Sequence, residues 1–236
     1  MGKHILTQRI NTMCRLVLTT AVVATIWLTG CSKKVVQQPI QQPVSITYNT
    51  ITDARDGQTY KTVTIGQQTW MAENLNYRTD SSWCYNNTDS NCIKYGRLYA
   101  WNAANKACLD GWHLPDRKEW ETLIKATGGN MAGKMLKSKT DWGKLRENCG
   151  EFKCPKLMPG MDAYGFSALP GYLYSPSVYD VDDVDDALHC GYWWTATEYS
   201  DSRAYYRVMF YCSDLVYEDY YFKSYGFSVR CIQNSP

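Results

Sequence analysis

Cysteines are the most numerous candidates for covalent chemistry in this chain of 236 residues, which contains ten of them. Eight lie in its C-terminal part, at Cys84, Cys92, Cys108, Cys149, Cys154, Cys190, Cys212 and Cys231. So many cysteines are typical of a protein that folds in an oxidising compartment and carries disulfides. Eight cysteines permit roughly a hundred pairings, so counting alone leaves the connectivity open.

Metal binding is the other common use of clustered cysteines, and the spacing does not favour it. Structural zinc sites combine a closely spaced cysteine pair with a second pair or with histidines. The nearest pattern is Cys149-x4-Cys154, with no second pair and no histidine beside it in the sequence. The sequence therefore predicts no zinc site.

An acidic run, Asp180-Val-Asp-Asp-Val-Asp-Asp186, is the strongest candidate for calcium binding. Several carboxylates close together supply the hard oxygen ligands that calcium prefers. However, the run lacks the glycine and the terminal glutamate of an EF-hand loop. Blocks of like charge usually repel each other and stay solvated. We therefore expect no cofactor and interpret the run as a solvated loop, with calcium binding as the alternative.

Acid–base catalysis has few candidate residues in this sequence. His113 lies just before a predicted helix, where we expect a structural role, and His189 lies in a loop that we expect to be exposed. No spacing singles out a pair of carboxylates for glycoside hydrolysis. A glycine-rich phosphate loop is absent. The sequence thus favours a protein that is not an enzyme, without deciding the matter.

Aromatic residues near the C-terminus are the predicted ligand contacts, namely Trp193, Trp194, Tyr205 and Tyr206. Exposed tryptophan and tyrosine suit sugars or protein partners, because each offers a flat apolar face and a hydrogen-bonding tip. Adjacent residues of a strand point to opposite faces. One of the two tryptophans is therefore expected in the core and the other nearer the surface. The alternative is that these rings pack the sheet.

The N-terminus has the layout of a secretory signal. Three basic residues and no acidic one precede an apolar run of 13 residues, Leu16–Leu28, which is shorter than the ~20 residues that span a membrane. The following Thr-Gly-Cys31 completes a sequence that resembles the bacterial lipobox, in which the cysteine is lipidated. We predict a signal peptide over residues 1–30 and a lipid anchor on Cys31, with translation starting at Met1 or Met13.

The mature chain is nearly neutral and is predicted to have two parts. Loss of the signal removes three basic residues and no acidic one, which leaves 22 basic against 23 acidic residues. This balance excludes electrostatic capture of nucleic acid as the function. Residues 32–47 are rich in Gln and Pro and are predicted to be a tether, so that a single domain covers 48–236. Because Asp does not follow Cys31, we expect the outer membrane or the cell surface.

The predicted elements place helices early and strands late, which indicates an α+β fold. Asp116 and Glu119 form a capping-box pattern that begins a helix, and Gly128-Gly129 ends it. Thr59–Met71 is predicted to form a hairpin with its turn at Gly66-Gln67. The other predicted elements are helices over Leu98–Cys108 and Met131–Leu136 and strands over Phe166–Tyr172, Tyr192–Thr197, Ala204–Tyr211, Val216–Tyr221 and Phe227–Ile232.

Several motifs in a fixed order resemble the Fibrobacter succinogenes major paralogous domain family, which occurs in secreted bacterial proteins and lipoproteins. The motifs are YKTVTIGQQTWMAENLNY, CYNN, YGRLYAWNAA, GWHLPDRKEWETL, YGFSALPGY, WWTATEY and YGFSVRC. More distantly, the GWHLPDRKEW and GFSVRC segments resemble the C-type-lectin-like fold and its formylglycine-generating branch. This resemblance implies a twisted antiparallel sheet with two flanking helices and long disulfide-tied loops.

The resemblance also implies disulfide pairings. A cysteine on the first helix of that fold pairs with one on the last strand, here Cys108 with Cys231. We further predict Cys84–Cys92, Cys149–Cys154 and Cys190–Cys212. The C-x4-C spacing of Cys149 and Cys154 resembles the redox pair of the formylglycine-generating enzyme, but its position in the middle of the chain does not support carrying that activity over.

The sequence therefore predicts a lipid-anchored binding or structural module outside the cytoplasm. Its expected partners are the membrane through the anchor and a polysaccharide or a surface protein through the domain. The alternative is an enzyme of unknown reaction related to the formylglycine-generating branch. A polar pocket around His113 would favour the enzyme, and an exposed aromatic face would favour binding.

Overall fold

A computed structural model describes residues 45–143, 157–176 and 189–235. All of them belong to one unit of the chain, Gln41–Pro236. The predicted lipid site Cys31, the predicted pair Cys149–Cys154 and the acidic run 180–186 lie outside the described residues. Within the described part of the chain, no helix is long and apolar enough to cross a membrane.

The first sheet begins with an antiparallel meander of β1 (Tyr48–Thr52), β2 (Thr59–Ile65) and β3 (Gln68–Met71). Gly66 has a φ of +62° in the tight turn between β2 and β3, a conformation that glycine adopts without steric cost. The hairpin predicted over these residues is confirmed. Its inward side chains, Val63 and Ile65 among them, are buried.

The middle of the chain contains the helices of the described residues and three short strands. Their bounds are β4 (Ser82–Trp83), α1 (Asp89–Tyr95), β5 (Leu98–Ala100), α2 (Trp101–Ala107), β6 (Trp112–His113), α3 (Arg117–Ala126) and α4 (Ala132–Leu136). The helix predicted from Leu98 begins only at Trp101, because Leu98–Ala100 pairs with two neighbouring strands. Helix α3 has the predicted capping box, in which the Asp116 side chain accepts from the Glu119 amide and Glu119 accepts from the Asp116 amide, both at 2.8 Å.

The C-terminal strands complete two sheets and confirm the α+β class. They are β7 (Cys190–Ser200), β8 (Arg203–Phe210), β9 (Tyr217–Phe222), β10 (Gly226–Ser228) and β11 (Ile232–Gln233). The sheet orders are β1-β2-β3-β11-β6 and β4-β5-β10-β7-β8-β9. Among the paired strands of the described ranges, β10 and β7 run parallel and the others antiparallel.

The strand predicted over Phe166–Tyr172 is wrong. In this segment Ala168 forms an isolated bridge with Lys137. Gly165 and Ser167 both have positive φ, at +73° and +51°, and left-handed residues interrupt an extended strand. The Asp162 carboxylate holds this turn by accepting hydrogen bonds from the Ser167 amide and hydroxyl, both at 2.7 Å.

Strand β7 is central, because hydrophobic clusters cover both of its faces. Trp193 lies in a cluster with Trp70, Trp120 and Phe166. Trp194 lies in the other cluster, in contact with Phe227 at 4.3 Å between ring centroids. Both tryptophans are fully buried. Trp193 and Trp194 point to opposite sides of the sheet, and both side chains are part of the hydrophobic core.

A buried lysine ties the loop after α4 to the second sheet. Lys137 is fully buried, and its Nζ donates to the carbonyls of Met158, Phe210 and Ser213 at 2.7–3.0 Å. Burial lowers the pKa of this ammonium to about 8. Its three donors are all used, as the burial of a charged group requires.

Two of the predicted disulfides are present, Cys84–Cys92 and Cys108–Cys231. The predicted pair Cys190–Cys212 is wrong. Cys190 is a buried thiol, whereas Cys212 is a disulfide cysteine. Cys190 begins β7 with its side chain in the hydrophobic core, so it serves there as a small apolar residue.

Candidate functional site

Three of the four predicted ligand contacts are not accessible. Trp193 and Trp194 are fully buried, and Tyr206 is 8% exposed within the core. The prediction is wrong for these residues because β7 is covered on both faces. Tyr205 is partly exposed, and the structure places it among other aromatic side chains.

Tyr205 belongs to a surface that we name the aromatic–arginine face. Its members are Tyr199 of β7, Arg203 and Tyr205 of β8, Tyr220 and Phe222 of β9, and Arg117 of α3. Tyr205 lies opposite Tyr220 in the β8–β9 ladder, and Arg203 lies opposite Phe222. Since alternate residues of a strand share one side of the sheet, this register brings the four side chains together.

The tyrosines of the face pack against one another in a fixed geometry. Tyr199 and Tyr220 stack with ring centroids 3.7 Å apart and an interplanar angle of 2°. Tyr205 meets both rings edge-on, at 5.4 and 6.2 Å. A hydrogen bond with Tyr220 raises the pKa of the Tyr199 hydroxyl. Tyr199 is 45% and Phe222 42% exposed, which leaves this packed cluster open to solvent.

Guanidinium groups cover the remaining rings of the face. The Arg117 guanidinium lies 4.0 Å from the centroid of the Tyr205 ring, and that of Arg203 lies 4.6 Å from the Phe222 ring. Such cation–π contacts favour planar stacking of arginine on an aromatic ring. The face therefore presents tyrosine side chains and guanidinium groups to a partner.

One carboxylate holds the arginines beneath the face. Glu218 pairs with Arg117, and its Oε2 lies 2.6 Å from Nη2 of Arg207. The hydrogen bond to Glu218 raises the pKa of Arg117, whereas burial lowers that of Arg207. Arg203 brings the number of cationic groups to three, and Glu121 of α3 is a second carboxylate whose charge acts on Arg117 and Arg207. The face therefore has a small excess of positive charge.

His113 and His189, the histidines of the described region, each contact neighbouring protein groups. Nδ1 of His113 lies 2.6 Å from Oδ1 of Asn234, and its Nε2 lies 2.8 Å from Oε1 of Glu119. Both ring nitrogens are thus engaged, and Glu119 also closes the α3 capping box. His189 is 5% exposed and packs edge-on against Tyr211, so its predicted exposure is wrong.

Metal binding finds no support in the part of the chain that the structure describes. No group of three or more His, Cys, Asp or Glu side chains lies close enough there to hold an ion. The acidic run 180–186, which is the calcium candidate, lies outside the described ranges.

Tyr205 is the one member of the face that the sequence predicted as a ligand contact. A signal was available in the alternation of Arg203 with Tyr205 and of Tyr220 with Phe222, because residues two apart on a strand share a side. The contribution of Arg117 was not available from the sequence. It depends on how α3 packs beside β9, which no local pattern specifies.

The comparisons with known proteins agree with the motifs. Residues 63–233 match the Fibrobacter succinogenes major domain. No curated protein and no solved structure shows a match to the chain. The matched segment covers more than half of the sequence and contains the disulfides Cys84–Cys92 and Cys108–Cys231 as well as every residue of the aromatic–arginine face. The chain therefore belongs to the Fibrobacter succinogenes major domain family.

Proposed function

We propose that this protein is a non-catalytic binding module, held outside the cytoplasm by a lipid on Cys31, that docks a surface protein through the aromatic–arginine face. The observation that carries the proposal is the exposed, ordered packing of tyrosine and arginine side chains on β7, β8 and β9. Tyrosine and arginine are enriched among the residues that dominate the energy of protein interfaces. A cluster already packed in the unbound chain loses little side-chain entropy on binding.

The ring geometry favours a protein over a polysaccharide as the partner. A sugar ring stacks on an open aromatic face, but each ring of the cluster has one face covered by another ring or by a guanidinium group. What stays accessible is suited to carboxylates, backbone carbonyls and apolar side chains of a protein. The enzyme alternative is weaker, because His113 already uses both ring nitrogens in contacts with its neighbours.

The proposal also includes the location and the detailed fold. The signal-like residues 1–30 and the lipobox-like sequence before Cys31 support an anchor in the outer membrane or at the cell surface. The two disulfides support an oxidising compartment. A C-type-lectin-like fold is supported by the Cys108–Cys231 link between α2 and the segment before β11, although the strands form two sheets rather than one.

The anchor gives a direct prediction. Cells that express the chain and grow with a labelled fatty acid should incorporate the label into the wild-type protein, and Cys31→Ser should abolish it, because the thiol is the attachment point. Fluorography of the purified chains measures the label. Cys14→Ser is the matched control and should retain it. Absence of label from the wild type would overturn the anchor and leave the binding proposal to be judged separately.

The docking face gives a second prediction. A photoreactive phenylalanine analogue at Tyr199 should crosslink one defined protein in intact cells, while the same analogue at Asn105, which is exposed on α2, should not. The purified partner should then bind Arg203→Ala and Tyr220→Ala at least about tenfold more weakly than the wild type, since each substitution removes a central contact of the face. Titration calorimetry measures the affinities.

Controls separate this result from misfolding and from sugar binding. Arg78→Ala removes an exposed arginine outside the face and should leave the affinity unchanged. Equal crosslinking from Tyr199 and Asn105, or equal affinity for the Arg203 variant, would contradict the proposal. Binding to a glycan array that the Arg203 and Tyr220 substitutions abolish would replace the protein by a polysaccharide as the ligand.

A further inference from the structure

A second surface, on a different part of the fold, has the chemistry of a ligand site. A cleft of about 320 Å³ lies between the first sheet and α1, a volume near the lower end of small-molecule pockets. Its polar lining includes Gln58, Lys61, Glu73, Asn74 and Asn76, and its apolar lining includes Tyr48, Ile93 and Leu169. We infer that this polar cleft binds a short neutral saccharide, through hydrogen bonds to Asn76 and to the Lys61–Glu73 rim.

The inner wall of the polar cleft is rigid. Gly96 follows α1 with a φ of +77°, and a Cβ at this position would lie 2.6 Å from Cβ of Asn74 and 2.8 Å from the Leu75 carbonyl oxygen. Only glycine permits this close approach. Asn74 is itself fixed by its bond to the Tyr95 carbonyl at 2.9 Å. The wall is therefore formed before any ligand binds, which lowers the entropic cost of binding.

A chain of hydrogen bonds fixes the orientation of the Asn76 amide. Nε2 of Gln58 donates to the Asp56 carboxylate at 2.6 Å, which leaves Oε1 of Gln58 as an acceptor. Nδ2 of Asn76 donates to that oxygen at 3.0 Å. The amide of Asn76 therefore cannot flip without placing two acceptors against each other.

This orientation leaves a buried acceptor for the ligand. Oδ1 of Asn76 is buried and has no hydrogen-bond partner among the described residues. A buried polar atom without a partner is costly. Asn76 lines the cleft, so a ligand hydroxyl that displaces the groups covering Oδ1 and donates to it would remove this cost. The cleft therefore favours a ligand rich in hydroxyl groups.

The rim of the polar cleft has no net charge. Oε2 of Glu73 accepts from the Lys61 backbone amide at 2.8 Å, and both side chains are exposed. Lys94 is neutralised by Asp141, whose Oδ1 lies 2.7 Å from its Nζ. The remaining carboxylate and ammonium, of Glu73 and Lys61, balance each other. Because their charges cancel, the rim offers no net attraction to an anion or to a cation, whereas neighbouring hydroxyls of a sugar can donate to the carboxylate and accept from the ammonium.

The apolar part of the lining completes the match to a sugar ring. Tyr48 is 40% exposed, and Ile93 and Leu169 also line the cleft. A pyranose presents polar hydroxyls at its edge and apolar C–H groups on its face, so it can use both kinds of lining. The volume is sufficient for one or two rings, which indicates a disaccharide or the end of a glycan chain.

The test uses saturation-transfer NMR on the full chain in detergent micelles, with maltose, cellobiose, lactose and diacetylchitobiose as neutral probes. At least one probe should bind at about 10 mM or below. Glu73→Gln, at an exposed position that does not risk the fold, and Asn76→Leu should each weaken that binding about tenfold. Asn105→Leu, on the exposed side of α2, is the matched control and should not.

Each of the following results would overturn the inference. Absence of binding by all four probes excludes a neutral saccharide, and binding only by a glucuronate disaccharide contradicts the argument from the rim. Binding that survives both Glu73→Gln and Asn76→Leu places the ligand elsewhere. Arg203→Ala and Tyr220→Ala should not change saccharide binding, so the cleft and the aromatic–arginine face succeed or fail separately.

Discussion

Replacement of both Cys108 and Cys231 by alanine is expected to lower the free energy of unfolding by about 2–5 kcal/mol. These cysteines are separated by 123 residues, so their disulfide removes much of the conformational entropy of the unfolded chain. The disulfide also stabilises the short strand β11, which begins directly after Cys231. Strand β11 has two residues, yet it joins β3 to β6 through the pairing of Ile232 with Trp70 and with His113.

The second disulfide provides the matched control for this experiment. Cys84 and Cys92 are only eight residues apart, so in the chain-entropy treatment their removal should cost about 2 kcal/mol less than removal of Cys108–Cys231. Urea denaturation followed by tryptophan fluorescence measures both double-alanine variants. Equal losses would contradict the entropic argument and would point to local packing as the source of stability.

The parts of the fold that sequence predicts are those with a local physical cause. The capping box of Asp116 and Glu119 needs only three residues of separation, and it begins α3 at the predicted place. The turn at Gly66 likewise follows from one residue that tolerates positive φ. By contrast, Leu98–Ala100 has helical periodicity but forms a strand, because it pairs with two neighbouring strands.

Long-range features needed either a family resemblance or the structure itself. The Cys108–Cys231 pair came from the resemblance, since about a hundred pairings were open to eight cysteines. The proposed pair of Cys190 and Cys212 failed, because nothing in the spacing indicates that Cys190 packs into the core as a thiol.

The candidate site was predicted less well than the fold, for a reason visible at Trp193 and Trp194. Alternation along a strand identifies which side a residue faces, but not whether that side is covered. Strand β7 has a hydrophobic cluster on each side, so both tryptophans are buried. Trp193 and Trp194 are therefore core residues, whereas the accessible rings lie at the end of β7, at Tyr199, and towards the edge strand β9.

Asn74 is the residue whose loss should affect the interior most. Its Oδ1 accepts three hydrogen bonds, from Nε and Nη2 of Arg230 at 3.0 and 2.8 Å and from Nε1 of Trp193 at 2.9 Å. Arg230 is fully buried, and burial lowers its pKa to about 9. The guanidinium is still protonated at pH 7. Among the described residues, no carboxylate forms an ion pair with it.

Asn74→Leu should therefore lower the free energy of unfolding by about 3–5 kcal/mol, because it leaves a buried cation with too few acceptors. The Met71 and Phe166 carbonyls, at 3.2 and 2.5 Å from Nη1 of Arg230, cannot replace the lost bonds to Nε. Urea denaturation at pH 7 measures the change. Asn105→Leu makes the same substitution on an exposed helical surface and should stay within about 0.5 kcal/mol of the wild type.

Asn74→Asp distinguishes the role of the acceptor oxygen Oδ1 from that of the donor Nδ2. It keeps an oxygen for Arg230 and Trp193 and adds an opposite charge, but it loses the donor to the Tyr95 carbonyl. Its cost should lie clearly below that of Asn74→Leu, because a paired cation is retained. If both variants lose the same stability, the bond to Tyr95 is what matters. In that case Asn74 serves mainly to hold α1 against the first sheet, and the buried guanidinium is satisfied by its backbone carbonyls.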